Sequence, residues 1–272
     1  MKGPIGIFDS GYGGLTVMKS IVQYLPDYDY IYIGDNARTP YGNRSFETVY
    51  HYTWEAVKWL FQKGCPLVIL ACNTASAKAL RTIQQQNLPV DFPTNRVLGV
   101  IRPTAEVMDQ FTHNRKIGIL ATRGTVQSES YILEIKKLFP SIEIFQQACP
   151  LLVPLIENNE LDNHGTDFFI KKYIHDLLQQ DPGIDTILLA CTHYPVLLKK
   201  ITEYTPIDIQ IVSQGEIVAE SLTAYLKRHP EMEGRISRNS THEFYTTDST
   251  ADFNEHAPAF FGSPVLSQHV II

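Results

Sequence analysis

Apolar residues come along this chain in short, nearly unbroken blocks separated by glycine and small polar residues. Blocks at residues 5–8, 30–33, 68–71, 97–101, 116–120, 142–145, 185–190, 208–212 and 243–247 each read as a strand. Such continuous runs mark parallel strands covered on both faces. Between them, apolar positions recur at helical spacing. Leu15, Val17, Met18, Ile21 and Val22 form one face, and Val49, Tyr52, Val57, Leu60 and Phe61 another. Further helices are predicted over 76–86, from Arg102, over 168–178, from Pro195 to about Tyr204, and over 217–226. Alternating strands and helices predict an α/β fold with doubly wound parallel sheets. The stretch 87–95, with Pro89 and Pro93, reads as a connection, and 228–241 as a polar surface linker. The tail, with Pro258, Gly262 and Pro264, reads as irregular chain packed on the first half.

Two pairs of phrases repeat. IGIFDSGYGG from Ile5 matches IGILATRGTV from Ile117, and VILACNTASA from Val68 matches TILLACTHYP from Thr186. Two strand-and-turn units, each followed at similar distance by a strand ending in Ala-Cys, predict two α/β domains related by a pseudo-two-fold. The first is expected at residues 1–97 plus 210–272 and the second at 98–209, with the active site in the cleft between them. Two crossings of the chain make hinge-like closure around a ligand an expectation.

Ligands in open α/β sheets gather at the carboxyl ends of strands. Cys72 is expected there, with Asn73, Thr74 and Ser76 offering caps and donors to the next helix. Cys191 is expected at the matching place, followed by Thr192 and His193. The turn Asp9-Ser10-Gly11-Tyr12-Gly13-Gly14 can present backbone N–H groups to an anion, although it lacks the GxGxxG dinucleotide pattern. Asp9 reads either as a helix N-cap or as a carboxylate that poises a neighbouring acid. The loop from Gly34 to Ser45, with Pro40-Tyr41-Gly42, reads as a surface turn or a binding lid. Glu157 closes an apolar run, as a helix-end residue or a carboxylate turned into the cleft. Trp54, Trp59, Cys65 and Cys149 read as packing.

Composition narrows the partners. The 272 residues are 44% hydrophobic and 19% charged, with net charge −6. That balance argues against nucleic acid or an anionic membrane as the main partner. No stretch approaches about 18 uninterrupted apolar residues, and no signal peptide is visible. Four cysteines without a CxxC pair make neither a disulfide framework nor a zinc site. A reducing cytoplasm is the expected location, with Cys72 and Cys191 as free thiols.

Three chemistries fit two such thiols. Cys191 with His193 could act as nucleophile and base, which leaves Cys72 idle. A redox disulfide would need Cα atoms within about 7 Å, and leaves the Asn and Thr groups unexplained. Proton removal by one thiol and return by the other, on opposite faces of one carbon, uses the duplication directly.

The phrases IGIFDSGYGGLTV, IYIGDNARTPYGNRS, VILACNTASA, ATRGTVQSESY and LACTHYP, in this order, closely resemble the glutamate racemases of the aspartate/glutamate racemase family. The resemblance implies a cofactor-independent racemase that interconverts L- and D-glutamate and supplies D-glutamate for peptidoglycan. It implies Cys72 and Cys191 as the two acid/bases, Cys191 acting on L-glutamate and Cys72 on D-glutamate, with Asp9 and His193 beside them. Ser10, Tyr41, Gly42, Asn73, Thr74 and Thr192 match substrate-contact positions, Thr122 and Thr125 match others, and Glu157 resembles a further site carboxylate. No metal is implied, and a homodimer is left open. Aspartate racemisation and a non-catalytic amino-acid-binding role are the alternatives. One departure stands out. Ser213-Gln214-Gly215 lacks the aspartate common after that strand, and is expected to lie outside the proton-transfer centre.

Overall fold

Every residue of β1 (Ile5–Asp9) is buried, as an apolar run covered on both faces requires. The computed structural model describes residues 2–272. After β1 come α1 (Gly14–Tyr24), β2 (Tyr30–Gly34), two short 3-10 turns in the 36–43 loop, and α2 (Phe46–Gln62). β3 (Leu67–Leu70) follows, then a broken helical stretch of α3 (Asn73–Lys78), α4 (Leu80–Thr82), a π turn and α5 (Leu88–Asp91). β4 (Arg96–Gly99) ends this first run.

The second run holds α6 (Ile101–Val107), β5 (Lys116–Ala121), α7 (Arg123–Gln127), α8 (Ser130–Leu138), β6 (Glu143–Ala148), α9 (Leu152–Glu157) and α10 (His164–Leu178). It closes with β7 (Thr186–Ala190), α11 (Leu198–Tyr204) and β8 (Gln210–Val212). The chain then returns through α12 (Gly215–Arg228) and α13 (Pro230–Glu233) to β9 (His242–Thr246), α14 (Thr250–Phe261) and β10 (Ser267–His269).

The strands form two sheets, β10-β9-β2-β1-β3-β4 and β6-β5-β7-β8. All their pairings are parallel. The order 2-1-3-4 in the first sheet is repeated as 6-5-7-8 in the second. β1 thus corresponds to β5 and β3 to β7, the strands that carry the repeated phrases. In each repeat the strand order reverses between the first and third strands, where a crevice opens at their carboxyl ends. Asp9 and Cys72 stand at one such crevice, and Thr122 and Cys191 at the other.

The topology moves the expected boundaries. β4 runs to Gly99 in the first sheet, and β8 at 210–212 pairs with β7. Each crossing therefore follows the fourth strand of its repeat, a little later than the breaks expected at 97/98 and 209/210.

Local differences also have causes. The strand expected over 97–101 stops at Gly99, because Ile101 opens α6. The helix expected from Ser76 begins at Asn73, where the Cys72 sulfur caps Ala75 N at 3.4 Å. Its continuation occupies 88–91, which reads as a connection, with Pro89 in the first turn of α5 where its missing N–H costs nothing. The tail is regular. Ser249 caps α14 by accepting from Asp252 N, and Gly262 at φ 89° ends it. As expected, α14 packs on the first half, with Phe253 and Phe260 against Tyr12 at 5.4 and 5.9 Å.

One apolar cluster runs from Ile5, Met18 and Phe253 to Leu189, Tyr194 and Ile174, so the two sheets share a continuous core. Among the described residues no helix is long and apolar enough to cross a membrane.

Candidate active site

The first thiol is placed by the end of β3. Cys72 has an extended backbone at φ −62° and ψ 121°, and its neighbour Ala71 is paired through N–H to Phe8 O. Ser76 holds the turn by donating to Leu70 O at 2.8 Å and accepting from Val100 N at 3.3 Å. The Cys72 sulfur lies 3.6 Å from Ser10 Oγ. Burial and then the Asp9 charge push this thiol up to about 12, so it rests protonated, as an acid.

The second thiol has different company. Cys191 Sγ lies 3.9 Å from His193 Nδ1, and His193 Nε2 lies 3.0 Å from Glu157 Oε1. Burial disfavours the imidazolium, but Cys191 and Glu157 outweigh it and hold the ring well above the usual histidine range. A cation therefore stands beside the Cys191 sulfur. The matched strands place two thiols alike, and their neighbours make them unlike.

Asp9 is fully buried. Its Oδ2 accepts from Gly11 N at 3.0 Å and its Oδ1 from Thr192 Oγ1 at 3.4 Å. Burial pushes the Asp9 carboxyl above the usual range, against the pull of His193 and the Gly11 and Gly14 amides. Asp9 is thus neither a plain helix N-cap nor a wall of the cleft. It sits behind the wall, between the Cys72 turn and Thr192.

Both sulfurs face one cavity of about 30 Å³. Ser10, Tyr41 and Gly42 line it from the first half, together with Cys72, Asn73 and Thr74. Thr122, Cys191, Thr192 and His193 line it from the second half. Asp9, Thr125 and Glu157 stand one layer behind. Thr125 is fully buried and accepts or donates at 3.1 Å to Thr122 Oγ1. The Tyr41 hydroxyl donates to Asp35, so what Tyr41 turns to the cavity is its ring or backbone. A second cavity, of about 990 Å³, lies between α3, α4 and the π turn, α6, α8 and α12; neither Cys72 nor Cys191 lines it.

By the rule that a water fills on the order of 10–15 Å³, the thiol cavity holds about two waters. The seams that close it are glycines. A Cβ on Gly42 would fall 2.9 Å from Thr122 Cβ, and one on Gly13 would fall 2.4 Å from both His193 Nδ1 and Thr192 Oγ1. The glycine turn therefore seats the Thr192–His193 segment of the other half.

Of the lining residues that escaped the sequence reading, three stand out. Thr39 belongs to the 34–45 loop. Cys149, which reads as packing, is 1% exposed and still contributes to the wall. Arg123 is the third, and it makes no ion pair or side-chain hydrogen bond among the described residues. Its signal was its position next to Thr122 in a turn that repeats the Ser10-Gly11 turn. Gln214 does not line the cavity, as expected for its turn, but its carboxamide touches Asn73. Among the described residues no cluster of three His, Cys, Asp or Glu side chains is arranged to hold a metal.

The arrangement has close counterparts. A family model described as Asp/Glu/Hydantoin racemase matches residues 5–222. The glutamate racemase of Streptococcus gordonii is 38% identical over 268 residues, covering 98% of each chain. The structure of glutamate racemase isoform RacE1 from Bacillus anthracis is similar at TM-score 0.90 and 34% identity, covering 99% of this chain and 98% of that one. A glutamate racemase of Francisella tularensis in complex with D-glutamate is similar at TM-score 0.86 and 29% identity, covering 99% and 98%. The chain belongs to the Asp/Glu/Hydantoin racemase family, on its glutamate racemase branch.

Proposed function

We propose that this protein interconverts L- and D-glutamate without a cofactor, by proton transfer between Cα and two cysteines. The observation that carries the reading is that Cys72 and Cys191 face one cavity from matching strand ends of a duplicated fold. With L-glutamate, Cys191 beside the His193 imidazolium takes the Cα proton and Cys72 returns one on the opposite face. The enzyme is left with Cys191 as thiol and Cys72 as thiolate, the form that acts on D-glutamate. Asp9, buried beside the Cys72 turn, serves that side as a proton relay.

The weak acidity of the Cα proton is the physical obstacle. A carbanion beside a carboxylate is stabilised by hydrogen-bond donors aimed at the charge that develops, each worth about 2.7–4 kcal/mol where measured. Asn73, Thr74 and Thr122 are the donors at hand. Thr74 and Thr122, one from each half, bring their hydroxyl oxygens to 2.9 Å of each other. Ser10, Tyr41, Gly42 and Thr192 complete the binding shell in this reading, with Thr125 acting through Thr122 and Glu157 through His193.

The glutamate racemases named above favour glutamate over aspartate, and both thiols with Asp9 and His193 favour catalysis over binding alone. The product D-glutamate supplies peptidoglycan synthesis in this reading. A cytoplasmic location, expected from the cysteine usage, and a homodimer, carried over from the resemblance, belong to the same proposal; analytical ultracentrifugation tests the dimer. The deciding experiment incubates L-glutamate with the purified protein in D₂O without added cofactor. Circular dichroism should fall to zero as deuterium appears at Cα by NMR. Unchanged optical activity and no exchange would overturn the proposal.

A further inference from the structure

We infer that Tyr131 and Gln214 are positioning residues that orient the Asn73 carboxamide so that one of its N–H groups is left for the substrate. The inference rests on the racemase reading and on the buried hydrogen bonds behind the cavity wall.

The direction of those bonds is set at one end by a backbone carbonyl, which can only accept. Thr104 Oγ1 donates to Val100 O at 2.8 Å, so it accepts from Gln214 Nε2, also at 2.8 Å. This turns the Gln214 oxygen toward Asn73, where it accepts from Nδ2 at 2.7 Å. The second Nε2 hydrogen of Gln214 goes to the Tyr131 hydroxyl at 2.5 Å. That hydroxyl then donates to Asn73 Oδ1 at 2.6 Å. An amide has two donors and one acceptor oxygen, so the orientation follows. Asn73 uses its oxygen on Tyr131 and one N–H on Gln214. Its other N–H has no partner among the described residues, and Asn73 lines the cavity.

Thr104, Tyr131, Asn73 and Gln214 are 0%, 0%, 3% and 4% exposed. Water cannot substitute for a lost partner there, so the bonds bear on geometry and not on surface detail. The members come from α3, α6, α8 and the turn after β8, and Thr104 and Gln214 follow the two crossings of the chain. Without Tyr131 or Gln214 the Asn73 amide could turn its oxygen to the cavity, presenting an acceptor to a carboxylate. That arrangement repels the substrate and its carbanion.

Two near-isosteric variants test this. Tyr131→Phe removes the donor to Asn73 Oδ1. Gln214→Glu replaces the Nε2 donor by an oxygen that draws the Tyr131 proton away from Asn73. Each is expected to lower kcat/KM for glutamate roughly 10- to 100-fold. In an Asn73→Ala background each should have less than about a twofold further effect, because contacting residues that act through one group do not add. A merely structural loss would multiply with Asn73→Ala instead. Thr104→Val, which breaks the anchor without adding charge, covers the case in which Gln214→Glu fails to fold. An active wild type with unaltered Tyr131→Phe and Thr104→Val, or fully multiplicative effects, overturns this inference alone. A wild type that leaves glutamate unchanged overturns the racemase reading and this inference with it.

Discussion

His193 Nε2 lies 3.0 Å from Glu157 Oε1 while the opposite ring nitrogen faces Cys191. The ring is nearly buried, with a side-chain exposure of 4%. Its charge survives there because a carboxylate and a sulfur bracket it.

This geometry predicts a pH effect. The His193 pKa is raised, so the imidazolium persists as pH climbs past the ordinary 6.5 and is lost only above the raised value. Glu157→Gln removes one of the raising partners. The alkaline fall in kcat/KM should move to lower pH, with a loss of about 10-fold at pH 8. An unchanged pH profile in this variant would detach Glu157 from the chemistry.

The two-thiol scheme makes a stereochemical prediction. Enantiomers are equally stable, so wild-type kcat/KM must be equal in the two directions at every pH. Cys72→Ala and Cys191→Ala should each cut racemisation about 10²- to 10⁴-fold. Each should keep proton exchange on one face. Cys72→Ala should wash deuterium into L-glutamate without inverting it, and Cys191→Ala should do so with D-glutamate. Full racemisation by either variant would sink the scheme.

Gly13 offers a steric test. A methyl there would fall 2.4 Å from His193 Nδ1 and Thr192 Oγ1, so Gly13→Ala must push the second half away. A stability loss of about 1–3 kcal/mol is expected, with a fall in kcat larger than for an alanine placed within α1. Thermal unfolding and steady-state kinetics check both. A fully active, equally stable Gly13→Ala would show that the two halves do not meet there.

Arg123 is a cation at the cavity with no partner among the described residues, in a chain of net charge −6. Its field should draw in an anionic amino acid. Arg123→Ala is expected to raise KM for glutamate about 3- to 10-fold and to flatten the salt dependence of kcat/KM. Equal salt slopes in wild type and variant would count against the role.

The strand phrases were legible because a parallel strand needs an unbroken apolar run, and because the same phrase served twice. Cys72 and Cys191 were legible for the same reason: each follows such a run, at the end where a crevice must open. The tail was not. Pro258 and a string of aromatics hide α14, whose apolar side is defined by Tyr12 and by helix α1. The crossing after β8 was misplaced because a three-residue strand, Gln210–Val212, carries too little pattern to show which sheet it joins.

From local pattern and repeated chemistry alone follow the doubled α/β plan, the two sulfurs, and the small donors beside them. Only tertiary structure decides which groups surround each sulfur. Asp9 meets Thr192, His193 meets Glu157, and Asn73 meets Gln214 across long stretches of chain. No periodicity encodes such meetings, since they arise where two sheets on one shared core bring their strand ends together. That contact leaves one cysteine held protonated by burial and sets the other beside a buried cation.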